Sequence, residues 1–239
     1  MPPLIFLLPI LFLGGIVSTI AGGGLGILLT IAATFFMDVR ASVVLVSLLA
    51  FVIQIVKIIH FRGHARWDII GWYLVLGIPC SFAGGWMLFV LPERAVEIVV
   101  GLLCVAFCIV DLGFGTPKIR PSKANLLGLG AVNGFLGGMV GNGALLRAPA
   151  LLAFGLSKEQ FVGTSSMIAF FMNIGKTSAY LTQFTWTREI VVLLTLSVPV
   201  VYAGVSIGKR ILAYVHPAVF ERLLTGIVFL GALRLIFFP

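Results

Sequence analysis

Residues 3–37 form an apolar run of 35 positions without one charged side chain. As a straight helix this run would be about 52 Å long at 1.5 Å per residue, far more than the roughly 30 Å hydrocarbon core of a bilayer requires. Its middle reads IAGGGLG, with Gly22, Gly23 and Gly24 in succession, and each glycine costs a helix interior roughly 1 kcal/mol against alanine. Residues 126–156 make a second long apolar run, broken by the sequence GNG (Gly141, Asn142, Gly143) and by Arg147. Inside a membrane, an interrupted helix survives only where protein or a water-lined cavity satisfies the freed backbone groups.

The environment is set by composition. Of 239 residues, 60% are hydrophobic and 10% charged, against roughly 25% charged in soluble domains, and mean hydropathy is +1.18. The expected fold is an all-α polytopic membrane protein with about eight hydrophobic segments. The short alternating segments of a barrel are absent. The net charge of +8 resides mostly in short connectors, where Lys and Arg orient membrane proteins and face anionic lipid. The bilayer is therefore an expected partner and nucleic acid is not. The N-terminus, MPPLIFLLPILFL, lacks the positive n-region of a signal peptide and is expected to remain in the mature protein.

Taken in order, helices are predicted at 41–60, 69–90 and 94–112, then at 161–182, 189–208 and from the last connector to about 238. The polar stretch GFGTPKIRPSKAN divides the chain into a first repeat at 1–112, a basic linker at 113–125 and a second repeat at 126–239. At an offset of 119, Gly15 matches Gly134, Gly22 matches Gly141, Ser47 matches Ser166, Gln54 matches Asn173, Lys57 matches Lys176 and Trp67 matches Trp186. One residue later, Pro79, Ala83 and Gly84 match Pro199, Ala203 and Gly204. Such a polar and tryptophan series marks an internal duplication.

Loop charge bears on how the halves are oriented. If each glycine run crosses the membrane once, the halves share an orientation and Lys and Arg split seven against six. If each run enters, breaks and returns, the halves are inverted and the split becomes nine against four. The positive-inside rule favours the second arrangement, and inverted repeats with broken helices are a recurrent transporter design.

Two readings of the glycines stand side by side. Gly14, Ser18, Gly22 and Gly26, like Gly130, Gly134 and Gly138, recur every four residues, the small-xxx-small spacing of close helix packing in lipid. Gly23, Gly24 and the GNG triplet fall outside that spacing and suit a break that exposes backbone donors to an anion. The following helices carry polar stripes, Ser47, Gln54 and Lys57 in one half and Thr164, Ser165, Ser166, Asn173, Lys176 and Thr177 in the other. These stripes serve either interhelical hydrogen bonds or a polar interior pathway. Lys57 and Lys176 either snorkel to the interface or stand as one cation at each mouth of a pathway. Arg147 faces Leu28 in the repeat and is unpaired there; its fork matches an oxyanion or a broken-helix carbonyl.

No carboxylate lies in the middle of an apolar segment, and the chain holds no hydrolase, P-loop or metal-ligand motif, so it is not expected to be an enzyme. Cys80, Cys104 and Cys108 fall in apolar segments, with Cys104 and Cys108 one turn apart; small buried residues of the core are the ordinary reading.

The residues AGGGLG at 21–26 and MVGNGALLRAPALLAFGLSKEQFVGTSS at 139–166 resemble the TauE/SafE family of sulfite exporters, also called the toluene sulfonate uptake permease family. The match rests on Gly141, Gly143, Pro149, Gly155, Lys158 and Gly163-Thr164-Ser165. The first half departs from it, with Thr30 in place of Pro149 and Leu45-Val46 in place of Thr164-Ser165. The resemblance implies secondary transport of a small sulfur-containing anion, sulfite or an organosulfonate, across the bacterial inner membrane. It implies no cofactor other than a coupling ion such as H+ or Na+, and it leaves homo-oligomer formation open. A passive anion channel and a membrane enzyme or thiol relay using Cys104 and Cys108 are the rival readings. The candidate substrate-binding residues are Gly22, Gly23, Gly24, Ser47, Gln54, Lys57, Gly141, Asn142, Gly143, Arg147, Thr164, Ser165, Asn173 and Lys176.

Overall fold

In the computed structural model the described residues are 7–20, 29–30, 33–34, 37–109, 120–141, 143, 147, 151, 153–183 and 187–211. They form seven α-helices and no strand: α1 (Leu7–Ile20), α2 (Val39–Phe61), α3 (Trp67–Val90), α4 (Glu93–Ile109), α5 (Lys123–Val140), α6 (Lys158–Leu181) and α7 (Arg188–Ile211). A short 3-10 turn, Arg62–His64, joins α2 to α3. Three of the described helical stretches are long and apolar enough to cross a bilayer: Val39–His64, Trp67–Val90 and Ile190–Ile211. Gly22, Gly23, Gly24 and Asn142 lie outside the described residues.

Helix starts follow local chemistry. Asp38 accepts from Ala41 N at 2.8 Å and caps α2. Ser157, its counterpart at the 119-residue offset, forms a reciprocal capping box with Gln160 and starts α6. Ser122 accepts from Asn125 N at 3.1 Å and starts α5. Each cap satisfies a backbone donor that the first turn leaves open. The helices begin up to three residues before the apolar pattern does, because the cap sets the start and not the first apolar residue.

The four-residue glycine spacing is a packing seam. Along α3 and α5 the backbones approach so closely that a Cβ on Gly130 would strike Tyr73 O, one on Gly134 would strike Gly77 O, and one on Gly138 would strike Ser81 O. Residue numbers rise together along this seam, so α3 and α5 run the same way. The other half repeats the pairing: α7 lies on α1, with Gly204 against Phe12 O and Gly208 against Ile16 O. Relative to the strict repeat this second seam is displaced by one helical turn.

The remaining seams fix the other directions. Gly77 and Ser81 of α3 meet Met172 of α6, while Gly85 meets Lys176 and Ala179, so α3 and α6 also run together. By contrast, Phe51 stacks on Phe170 at 5.2 Å and Gly163 approaches Phe61 O, so α2 and α6 run oppositely. Apolar side chains on the outer faces of α3 (Val75, Phe82, Trp86) and α7 (Val191, Val198, Tyr202) are exposed, as suits contact with acyl chains. Lys123 sits 4.9 Å over the Trp72 ring, an amphipathic pairing suited to the membrane interface.

The seam makes opposite demands on chemically identical substitutions. Gly134→Ala places a methyl in the α3 backbone and is expected to cost 1–3 kcal/mol, the range of overpacked sites. Gly128→Ala, on the same helix with nothing within 4 Å of the new methyl, is expected to be neutral or stabilising by up to about 1 kcal/mol. Melting temperatures of the two purified variants in detergent measure the contrast, and equal values would remove the seam.

Candidate functional site

The site grows from the end of α5. That helix stops at Gly141, whose φ of 82° is left-handed, a conformation in which glycine carries no Cβ penalty. Its last carbonyls lack intrahelical donors and take side-chain donors instead. Lys176 Nζ donates to Gly141 O at 2.5 Å, Ser47 Oγ lies 3.3 Å from the same oxygen, and the Tyr180 hydroxyl donates to Gly138 O. In the first half Lys57 Nζ likewise donates to a backbone carbonyl, Ser18 O of α1, at 2.8 Å. Lys176 places its amine at the negative end of α5.

These positions correct the expectation of snorkelling lysines. Lys57 is 1% exposed and Lys176 4% exposed; both reach inward because carbonyl ends lie within reach there. Arg147 is 5% exposed and its Nε donates to Ser165 Oγ at 2.8 Å. Gly141 O accepts from Lys176 and Arg147 donates to Ser165, so side chains of α6 hold both residues. Arg147 lies within Coulombic reach of both lysines.

Arg147 and Lys176 line a cavity of about 30 Å³ together with Gln54, Asn133 and Asn173, with Gly141 and Gly143 in its wall. The cavity exceeds the 10–15 Å³ or so that one water needs. Of the candidates drawn from the sequence, Gln54, Gly141, Gly143, Arg147, Asn173 and Lys176 converge here. Ser47 and Ser165 support it from behind through Gly141 and Arg147. Thr164 has a different place: it accepts from Arg66 N at 3.0 Å and ties α6 to the turn between α2 and α3. Lys57 is absent from the cavity wall.

Asn133 and Ser81 line the cavity and were not among the sequence candidates. Asn133 is fully buried, and Gly143 passes so close that a Cβ there would strike Asn133 Oδ1. The available signal was an amide inside a glycine-rich apolar segment, since intramembrane polar groups are functional by default. Among the described residues no group of His, Cys, Asp and Glu is arranged to hold a metal. Cys104 and Cys108 lie on α4, which contributes no described residue to the cavity wall.

Burial of the two lysines gives a direct test. An amine-reactive reagent applied to the folded protein in detergent is expected to modify the exposed Lys123, Lys158 and Lys209 and to spare Lys57 and Lys176, as read by peptide mass spectrometry. Snorkelling lysines would label with the others.

No curated protein and no solved structure matches the chain. A sequence model described as Sulfite exporter TauE/SafE matches residues 7–235. With almost its whole length covered, the chain belongs to the TauE/SafE sulfite exporter family and is an integral membrane protein of transport.

Proposed function

We propose that the chain is a secondary transporter that moves a small sulfur-containing oxyanion, sulfite or an organosulfonate, across the bacterial inner membrane, with the cavity at Arg147 and Lys176 as its binding site. The observation that carries this reading is three buried cations with no buried carboxylate among the described residues. Lys57 and Lys176 meet backbone carbonyls and Arg147 meets the Ser165 hydroxyl, none of which is a full counter-charge. A buried charge is costly unless it is paired and hydrogen-bonded. A bound anion pairs it, and the planar guanidinium fork of Arg147 matches the oxygens of a trigonal or tetrahedral oxyanion.

The repeat architecture belongs to the same proposal. The two halves are inverted, with each glycine run entering the bundle and returning. The antiparallel run of α2 against its counterpart α6 supports this. Alternating access then exchanges the two seams, α3 on α5 and α7 on α1, around a fixed cation cluster.

Reconstitution tests the function. Proteoliposomes are expected to show saturable, counterflow-competent flux of labelled sulfite or a sulfonate, and Arg147→Gln is expected to lower it at least tenfold, the loss of about 1.4 kcal/mol or more of anion binding. Non-saturating flux without counterflow would make the protein a channel. Failure to move sulfite, thiosulfate, sulfonates or carboxylates would end the transport reading, and unchanged flux in Arg147→Gln would move the site elsewhere.

A further inference from the structure

The cavity holds two kinds of polar group, and the cations use only one kind of ligand atom. Arg147 and Lys176 are donors alone and fit the oxygens of an anion. Two side-chain acceptors share the wall with them: Asn133 Oδ1 and Gln54 Oε1 are both buried and both without a hydrogen-bond partner. The Asn133 amide is oriented by its Nδ2, which points at Met172 Sδ at 3.6 Å. The Tyr73 hydroxyl lies beside Asn133 and, like the two acceptors, has no geometrically closed hydrogen bond. An unpaired buried acceptor is destabilising, and two of them belong to residues that line one small cavity.

We propose that this site takes its oxyanion in the singly protonated form, and that Asn133, helped by Gln54, is the residue that reads the proton. The inference rests on the anion-transport reading and specifies its substrate class as a hydrogen-oxyanion. Arg147 and Lys176 hold the unprotonated oxygens, while the single X–O–H group donates to Asn133 Oδ1 or Gln54 Oε1. A fully deprotonated oxyanion leaves both acceptors unpaired, and so does an alkylsulfonate of the same single charge. A site built to bond a substrate hydroxyl discriminates strongly against analogues that lack it.

The test uses proteoliposomes of the full chain and two probes of equal charge, labelled sulfite and labelled methanesulfonate, with the leak of protein-free liposomes subtracted. At fixed total sulfite, flux is expected to fall as pH is raised on both faces through the second dissociation of sulfurous acid, in step with the singly protonated fraction. At acidic pH sulfite is expected to move at least tenfold faster than methanesulfonate. Asn133→Leu is expected to bring that ratio close to one, with Gln54→Leu lowering it part of the way. A methanesulfonate flux equal to that of sulfite in the unaltered protein overturns the inference and leaves the anion carrier standing; it would mean that water serves the two acceptors. Sulfite flux that ignores the protonated fraction overturns it in the same way. If the leucine variants fail to fold, the ratio and pH profile of the unaltered protein decide. Transport of neither anion overturns both readings together.

Discussion

The structure depends on how interrupted helices are finished inside an apolar bundle. A helix that stops in water passes its last carbonyls to solvent; one that stops in a membrane must find donors in protein. At the end of α5 the donor is Lys176, on Gly141 O, and Lys57 donates in the same way to Ser18 O of α1. Completing a helix end in this way buries a basic side chain. Arg147 is buried beside the same end, with no buried carboxylate among the described residues.

Rigidity around this charged centre comes from residues that have almost no side chain. Gly130, Gly134 and Gly138 bring α5 into backbone contact with α3, while Gly15, Gly204 and Gly208 do the same for α1 and α7. Without a hydrophobic force between helices in lipid, such contact depends on shape and on interhelical hydrogen bonds. Ser81 supplies one of these, donating to Met172 O at 3.0 Å across α3 and α6. The α3–α5 seam runs past the cavity, with Ser81, Asn133, Gly134 and Gly137 in its wall.

Much of the fold was legible in the sequence because membrane helices are set by length and apolarity, which are local properties. Asp38 and Ser157, 119 residues apart, both cap helices, and the four-residue spacing of Gly130, Gly134 and Gly138 marked a contact face. Lys57 and Lys176 were harder. Their sequence positions near helix ends suggest snorkelling, and only the carbonyls brought up by another helix, 39 and 35 residues away in the chain, turn them inward. Asn133 escaped notice for a related reason. Its neighbours are packing glycines, its counterpart in the repeat is Gly14, and its value lies in what Gly143 and Arg147 bring opposite it.

The central claim is that the buried Lys176 and Arg147 at the end of α5 are balanced by a bound oxyanion. Crystals of the protein soaked in selenite, whose selenium marks a sulfite-like anion by anomalous scattering, test it most directly. The account predicts an anomalous peak inside the cavity, within contact of Arg147 and Lys176 and beside Asn133. A transport-competent protein whose cavity holds no peak, or whose peak lies away from Arg147, would contradict it.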